Sequence, residues 1–66
     1  MQVIINGEQH QVPAPISLAQ AVALLTSAQT GVAAAVNGDV VRRAAWNATS
    51  LTDGDEVEVL TAVQGG

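Results

Sequence analysis

Residues 3–12 read VIINGEQHQV and predict the β-hairpin from which the rest of the fold follows. The pair Asn6-Gly7 suits a two-residue type I′ turn, because both residues accept a positive φ at low cost. Period-two alternation then places Val3 and Ile5 on one face of the sheet and Ile4 on the other.

A helix is predicted after this hairpin, over about residues 17–28. Ser17 stands at the N-cap position, and Gln20 three residues later completes a capping box. Gly31 can adopt the left-handed conformation that commonly follows a helix end. One face of the helix is apolar and is expected to pack on the sheet; it comprises Leu18, Ala21, Val22 and Leu25.

Three further strands are predicted in the second half of the chain. Residues 32–36 form a short strand that ends in a second turn signature, Asn37-Gly38, and residues 40–41 continue beyond it. An Asp-Gly-Asp turn at residues 53–55 precedes the last strand, residues 56–62. Alternation in that strand places its two valines on the core face and its two glutamates and its leucine on the opposite face.

The order of elements is strand, strand, helix, three strands, which predicts an α+β fold: a mixed sheet of four to five strands with one helix packed across one face. The first and last strands are expected to pair in parallel at the centre, with the helix as their crossover. Trp46, the single aromatic residue, is interpreted as a packing anchor. Residues 1–60 are expected to form the domain, and residues 61–66 an extended, flexible C-terminal tail.

Composition excludes several classes of protein. A chain of 66 residues makes one domain, and without cysteine it holds neither a disulfide framework nor an iron–sulfur cluster. The net charge of −4 is the wrong sign for a nucleic-acid partner. Residues 9–38 lack Asp, Glu, Lys and Arg, but prolines and polar side chains interrupt them, so we expect no membrane span. With no secretion signal recognisable at the N-terminus, the expected location is the cytoplasm.

No pattern in the sequence predicts catalysis or metal binding. His10 lies on a strand with no thiol and no serine close in sequence, and we interpret it as an edge or surface residue. The glycines are separated and occupy turns, so they form no phosphate loop. The acidic cluster of Asp53, Asp55, Glu56 and Glu58 is interpreted as a solvated turn and strand face rather than a cation site. We therefore expect no catalytic residue, no metal and no cofactor bound by the protein itself.

The C-terminal residues Gly65-Gly66 are the feature that an ordinary small domain does not require. Without side chains, they can enter a narrow channel of another protein and bend freely there. The segment from Leu60 to Gly66 reaches about 20 Å when extended. The α-carboxylate is ionised at neutral pH, so it can attack the α-phosphorus of a nucleotide. The alternatives are a frayed terminus and a cloning remnant.

One set of motifs spans essentially the whole chain: VIING at 3–7, VNG at 36–38 with Val40-Val41, Arg43, Trp46, Leu51, the Asp-Gly-Asp turn at 53–55 and the ending LTAVQGG at 60–66. Together these motifs resemble the ThiS family, the ubiquitin-like sulfur carriers of thiamine biosynthesis. Relatives often carry Pro-Arg before the tryptophan, where this chain has Arg42-Arg43, and often glycine at the position of Gln64.

The resemblance implies a β-grasp (ubiquitin-like) fold and a carrier that is not itself an enzyme. A ubiquitin-activating-like adenylyltransferase would use ATP and magnesium to convert Gly66 to an acyl-adenylate. A sulfur donor system would then supply sulfur originating from cysteine, leaving a thiocarboxylate that delivers sulfur to thiazole synthase. Leu60 and Ala62 are the expected docking residues on the exposed sheet face, and the tail residues expected to enter the partners' active sites are Val63, Gln64, Gly65 and Gly66.

Three alternatives stay open at this point. Tail chemistry alone does not distinguish a thiamine carrier from a carrier for molybdopterin or cysteine synthesis. A β-grasp module that binds a partner and transfers nothing, and a conjugator that modifies lysines of other proteins, are the others. The sequence contains neither lysine nor cysteine, so an activated tail has no such nucleophile to react with on a sister molecule.

Overall fold

The computed structural model describes residues 1–27 and 30–61, and within them a single mixed sheet covered by helices. The sheet order is β2-β1-β5-β3-β4, with β1 and β5 parallel at the centre. This confirms the predicted α+β topology. The elements are β1 (Gln2–Ile5), β2 (Glu8–Gln11), α1 (Leu18–Ala23), β3 (Val32–Val36), β4 (Asp39–Val41), a 3₁₀ helix (Arg43–Ala48) and β5 (Glu56–Thr61).

Both predicted hairpins form with two-residue turns. Asn6 and Gly7 have φ values of 52° and 84°, and Asn37 and Gly38 have 50° and 88°. These positive pairs are the type I′ geometry, whose twist matches that of the flanking strands. The turns set the register of each hairpin, so Ile5 pairs with Glu8 and Val36 pairs with Asp39.

The helix begins as predicted and ends earlier. The Ser17 side chain accepts from the backbone N–H of Gln20 at 3.1 Å, and the Gln20 side chain accepts from the Ser17 N–H at 2.9 Å. After Ala23, Leu24 and Leu25 donate to carbonyls three residues back, and Thr26 donates to the Val22 carbonyl, so the helix closes in a tightened last turn. The predicted extension through residue 27 is therefore wrong, and residues 28–29 lie outside the described part.

One apolar core lies between the sheet and the helices. Val3, Ile5, Leu18 and Val57 are fully buried, and Trp46 is 5% exposed, which confirms its interpretation as an anchor. Leu25 was expected in this core but stays 39% exposed, because the helix ends before reaching it. In the described residues, no helix has the length and hydropathy that crossing a bilayer requires.

Trp46 is placed by the 3₁₀ helix, which the sequence did not predict. Its indole Nε1–H donates to the Val41 carbonyl at 2.8 Å, so the ring is buried without leaving a polar atom unpaired. The Arg43 guanidinium carbon lies over this ring, 5.1 Å from its centroid. Backbone hydrogen bonds from Leu18 to Thr49 and from Leu51 to Ile16 join the segment after the 3₁₀ helix to the start of α1.

Candidate functional site

The candidate site consists of β5, the sheet face beside it and the segment that follows β5. β5 lies between β1 and β3 and ends at Thr61, which pairs with Val32. Residues 62–66 lie outside the described part, so the predictions for Ala62, Val63, Gln64, Gly65 and Gly66 stay predictions. The described structure bears on how the last strand is held and what surrounds its end.

An asparagine side chain holds β5 on its β1 side. The Asn6 amide Nδ2 donates to the Val59 carbonyl at 3.1 Å, and its Oδ1 accepts from the Val59 N–H at 2.8 Å. The backbone N–H of Asn6 also donates to the Val57 carbonyl at 2.9 Å. The side chain thus extends the β1–β5 pairing past the point where the chain turns into β2.

A second asparagine holds β5 on its β3 side. Asn37 Oδ1 accepts from the Glu56 N–H at 3.0 Å, while the Asn37 N–H donates to the Glu56 carbonyl at 2.7 Å. Its Nδ2 donates to Asp55 Oδ1 at 3.1 Å. The sequence pattern predicts both asparagines only as turn residues. Their turn signature also suits Asp-Gly, so no local signal required the amide donor.

The two aspartates of the Asp-Gly-Asp turn accept hydrogen bonds from other residues of the protein. Asp53 Oδ1 accepts from the Gln2 N–H at 2.8 Å, which ties the turn to β1. Asp55 accepts from the Thr52 N–H and hydroxyl at 2.8 and 2.9 Å. Burial raises the pKa of Asp55, but the hydrogen bonds from Thr52 and Asn37 outweigh it and hold the pKa below its ordinary value.

The rest of the acidic cluster lies on the protein surface. Glu56 and Glu58 are exposed on β5, as the interpretation of a solvated strand face expected. The residues at 1–27 and 30–61 contain no group of three or more His, Asp or Glu side chains arranged to hold a metal. His10 lies within 3.9 Å of the Glu8 carboxylate on the edge strand β2.

The sheet face opposite the core is apolar around Leu60. Leu60 is 69% exposed and Val40 is 78% exposed, although both lie in strands. Between them lie the small side chains of Ala33 and Ala35, which with Glu58 line a shallow depression of about 190 Å³. We call Ala33, Ala35, Val40 and Leu60 the open-face patch. The structure places Leu60 where the sequence predicted it, and its docking role stays a prediction.

This architecture defines the class of the protein. The first and last strands are parallel at the centre, with β2 outside β1 and the β3–β4 hairpin outside β5. Together with the one α-helix among the described residues, this is the arrangement of a small β-grasp domain. Two further features are a last strand that asparagine side chains hold on both sides and an exposed apolar patch on the open face of the sheet.

Comparison with known proteins gives the family. The ThiS family model matches residues 3–66. The crystal structure of the thiamine biosynthesis protein ThiS from Geobacter metallireducens is 33% identical with a TM-score of 0.79, and the match covers all of both chains. The solution structure of a thiamine biosynthesis protein from the same organism is 33% identical with a TM-score of 0.81, over all of this chain and 88% of that one. No curated protein matched the sequence. The chain belongs to the ThiS family.

Proposed function

We propose that this protein is a sulfur carrier in thiamine biosynthesis and that the carboxylate of Gly66 is the group that carries the sulfur. The observation that supports this most directly is the family match, which extends through Gly65-Gly66.

The chemistry requires an activating partner because a carboxylate is a poor electrophile. An adenylyltransferase with ATP and magnesium joins the Gly66 carboxylate to the α-phosphorus and releases pyrophosphate. Hydrosulfide delivered by the sulfur donor system then attacks the acyl carbon, AMP leaves with the bonding electron pair, and loss of the S–H proton gives the thiocarboxylate that supplies thiazole synthase. The carrier supplies reach and shape, while the partners stabilise the developing charge.

The folded domain positions the tail for this chemistry. Asn6 and Asn37 fix β5 from both sides, so the position at which the tail begins is held relative to the whole sheet. The open-face patch beside β5 is the surface proposed to dock, with Leu60 as its most prominent member on that strand. A cytoplasmic location fits this role and stays a prediction.

Intact-mass spectrometry tests the proposal. The protein is incubated with its adenylyltransferase, ATP, magnesium and a sulfur source, and the expected product has one oxygen replaced by sulfur. A variant lacking only Gly66 is the matched control and should stay unmodified while keeping the same unfolding temperature. A wild-type protein that remains unchanged under these conditions, or modification at a residue other than the last, contradicts the proposal.

A further inference from the structure

The positive charge of this acidic protein is concentrated at one end of the sheet. Arg42 and Arg43 are its only Lys or Arg residues, against six carboxylates. Ala34 pairs with Val41 on one side and with Val59 on the other, so β4 and β5 run in the same direction and are in register. The residue after Val41 therefore lies at the level of Leu60, where β5 approaches its end.

Arg42 continues β4 toward that end. Its φ of −64° and ψ of 143° are extended, so it advances the chain about 3.3 Å past Val41. It then lies two strand spacings from Leu60, about 10 Å across the sheet. Alternation along β4 places Arg42 on the side of Val40, which is the side of the open-face patch.

The two arginines have different surroundings. Arg43 stacks on the ring of Trp46 on the helix side of the sheet and is part of the packing there. Arg42 is exposed and precedes the 3₁₀ helix without capping it through its side chain. It is therefore the cation that a protein approaching the open-face patch meets.

The open-face patch has charges of opposite sign at its two ends. Glu58 is level with Ala35 and Val40, and Glu56 lies two residues further from the tail. Arg42 lies about 13 Å beyond the level of Glu56, by the rise of four strand residues. A partner that covers the patch meets carboxylates toward the start of β5 and a guanidinium toward its end. These opposite charges define one orientation.

We infer that Arg42 is a docking residue that pairs with a carboxylate on the activating adenylyltransferase, at the rim of the site that receives the tail. The inference rests on the proposed function. Five residues follow Thr61, and such a segment spans at most about 18 Å. When Gly66 is at the reacting centre, the end of β5 is within that distance of it, so Arg42 must lie close to the partner's surface. An acidic rim there complements Arg42 and repels the carrier's carboxylates if it approaches in the reverse orientation.

The test compares two variants of equal net charge. Arg42→Gln removes one positive charge and Gln9→Glu adds one negative charge, so each changes the net charge from −4 to −5. Gln9 is exposed on β2, at the opposite edge of the sheet from β4. Binding to the host's adenylyltransferase is measured by titration calorimetry without ATP, at about 0.05 M and about 0.5 M NaCl.

Arg42→Gln is expected to raise Kd about two- to fivefold at low salt, with the difference vanishing at high salt. Arg42→Lys should bind like the wild type, because it keeps the charge, and Gln9→Glu should also bind like the wild type. The inference is overturned if Arg42→Gln leaves Kd unchanged, or if Gln9→Glu weakens binding as much. Circular dichroism of each variant shows whether the fold is retained.

The same variants separate this inference from the proposed function. Because Arg42→Gln keeps Gly66, it should still form thiocarboxylate, but with a KM for the carrier that rises along with Kd. If the thiocarboxylate forms but Arg42→Gln binds normally, only the docking inference fails. If the wild-type protein forms none, the proposed function fails regardless of Kd.

Discussion

Replacing Asn37 by aspartate tests how the protein holds its last strand. Asn37→Asp keeps the size of the side chain, and aspartate tolerates the φ of 50° at this turn. The carboxylate still accepts from the Glu56 N–H, now 3.0 Å from Asn37 Oδ1. On its other side the amide donor is lost, and two carboxylate oxygens face each other where Nδ2 and Asp55 Oδ1 are now 3.1 Å apart.

The expected loss of unfolding free energy is about 2 kcal/mol near neutral pH. A hydrogen bond of this kind contributes about 1 kcal/mol net, and an exposed like-charge contact costs up to about 1 kcal/mol. For a domain of this size each kcal/mol corresponds to about 4–8 °C, so the unfolding temperature should fall by about 8–16 °C. Circular dichroism and urea unfolding, followed through Trp46 fluorescence, measure both quantities.

The stability that Asn37→Asp loses is expected to depend on pH. Two adjacent carboxylates raise the pKa of the pair above the unfolded value of about 3.9, so one of them binds a proton more readily in the folded state. The stabilisation that this bound proton gives the folded variant is complete below the unfolded pKa and is lost as the pH rises through the folded pKa. The deficit of Asn37→Asp should therefore shrink between neutral pH and about pH 4.

Two controls separate charge from turn geometry. Asn37→Gly keeps the positive φ but removes both side-chain hydrogen bonds without adding charge. Its deficit should therefore change little between neutral pH and about pH 4 and should shrink only at lower pH, where Asp55 itself is protonated. Adding Asp55→Asn to Asn37→Asp restores a donor and an acceptor across the contact and should recover part of the loss. A neutral-pH stability equal to wild type, or a deficit that grows on acidification, refutes the reasoning.

Three further predictions follow from the described residues. Because the pKa of Asp55 is lowered in the folded protein, this carboxylate stabilises the fold above its unfolded pKa, and the stabilisation is lost as the pH falls through the folded pKa. Thr52→Ala should make this acid-dependent loss of stability smaller, as measured by urea unfolding at a series of pH values. Arg42→Pro should stabilise the fold by about 0.4–1 kcal/mol in urea, because its φ of −64° already suits a proline ring, and a loss of stability would show that its N–H is needed. Leu60→Ala should leave the unfolding temperature nearly unchanged, since the side chain is 69% exposed, but should weaken binding to the adenylyltransferase in calorimetry. If the variant and the wild type bind equally well, Leu60 is not part of the docking surface.

Features decided by neighbours in sequence were predicted correctly. The two Asn-Gly turns, the capping box of Ser17 and Gln20, and the alternation of β5 depend on the conformational preferences of a few adjacent residues. The parallel pairing of the first and last strands also followed, because a hairpin and a crossover helix leave few ways to close one sheet. The Gly-Gly ending and its family resemblance likewise came from the sequence.

Features decided by distant residues needed the tertiary structure. The helix end was missed because Leu25 continues the apolar pattern of the helix in sequence, although the side chain is 39% exposed in the fold. The use of the Asn6 amide on Val59, 53 residues away, has no local signal. The position of Arg42 level with Leu60 depends on the registers of three strands. By itself the sequence determined which turns and strands this protein has, since local sterics set them. Packing and long-range hydrogen bonds decided what those parts contact.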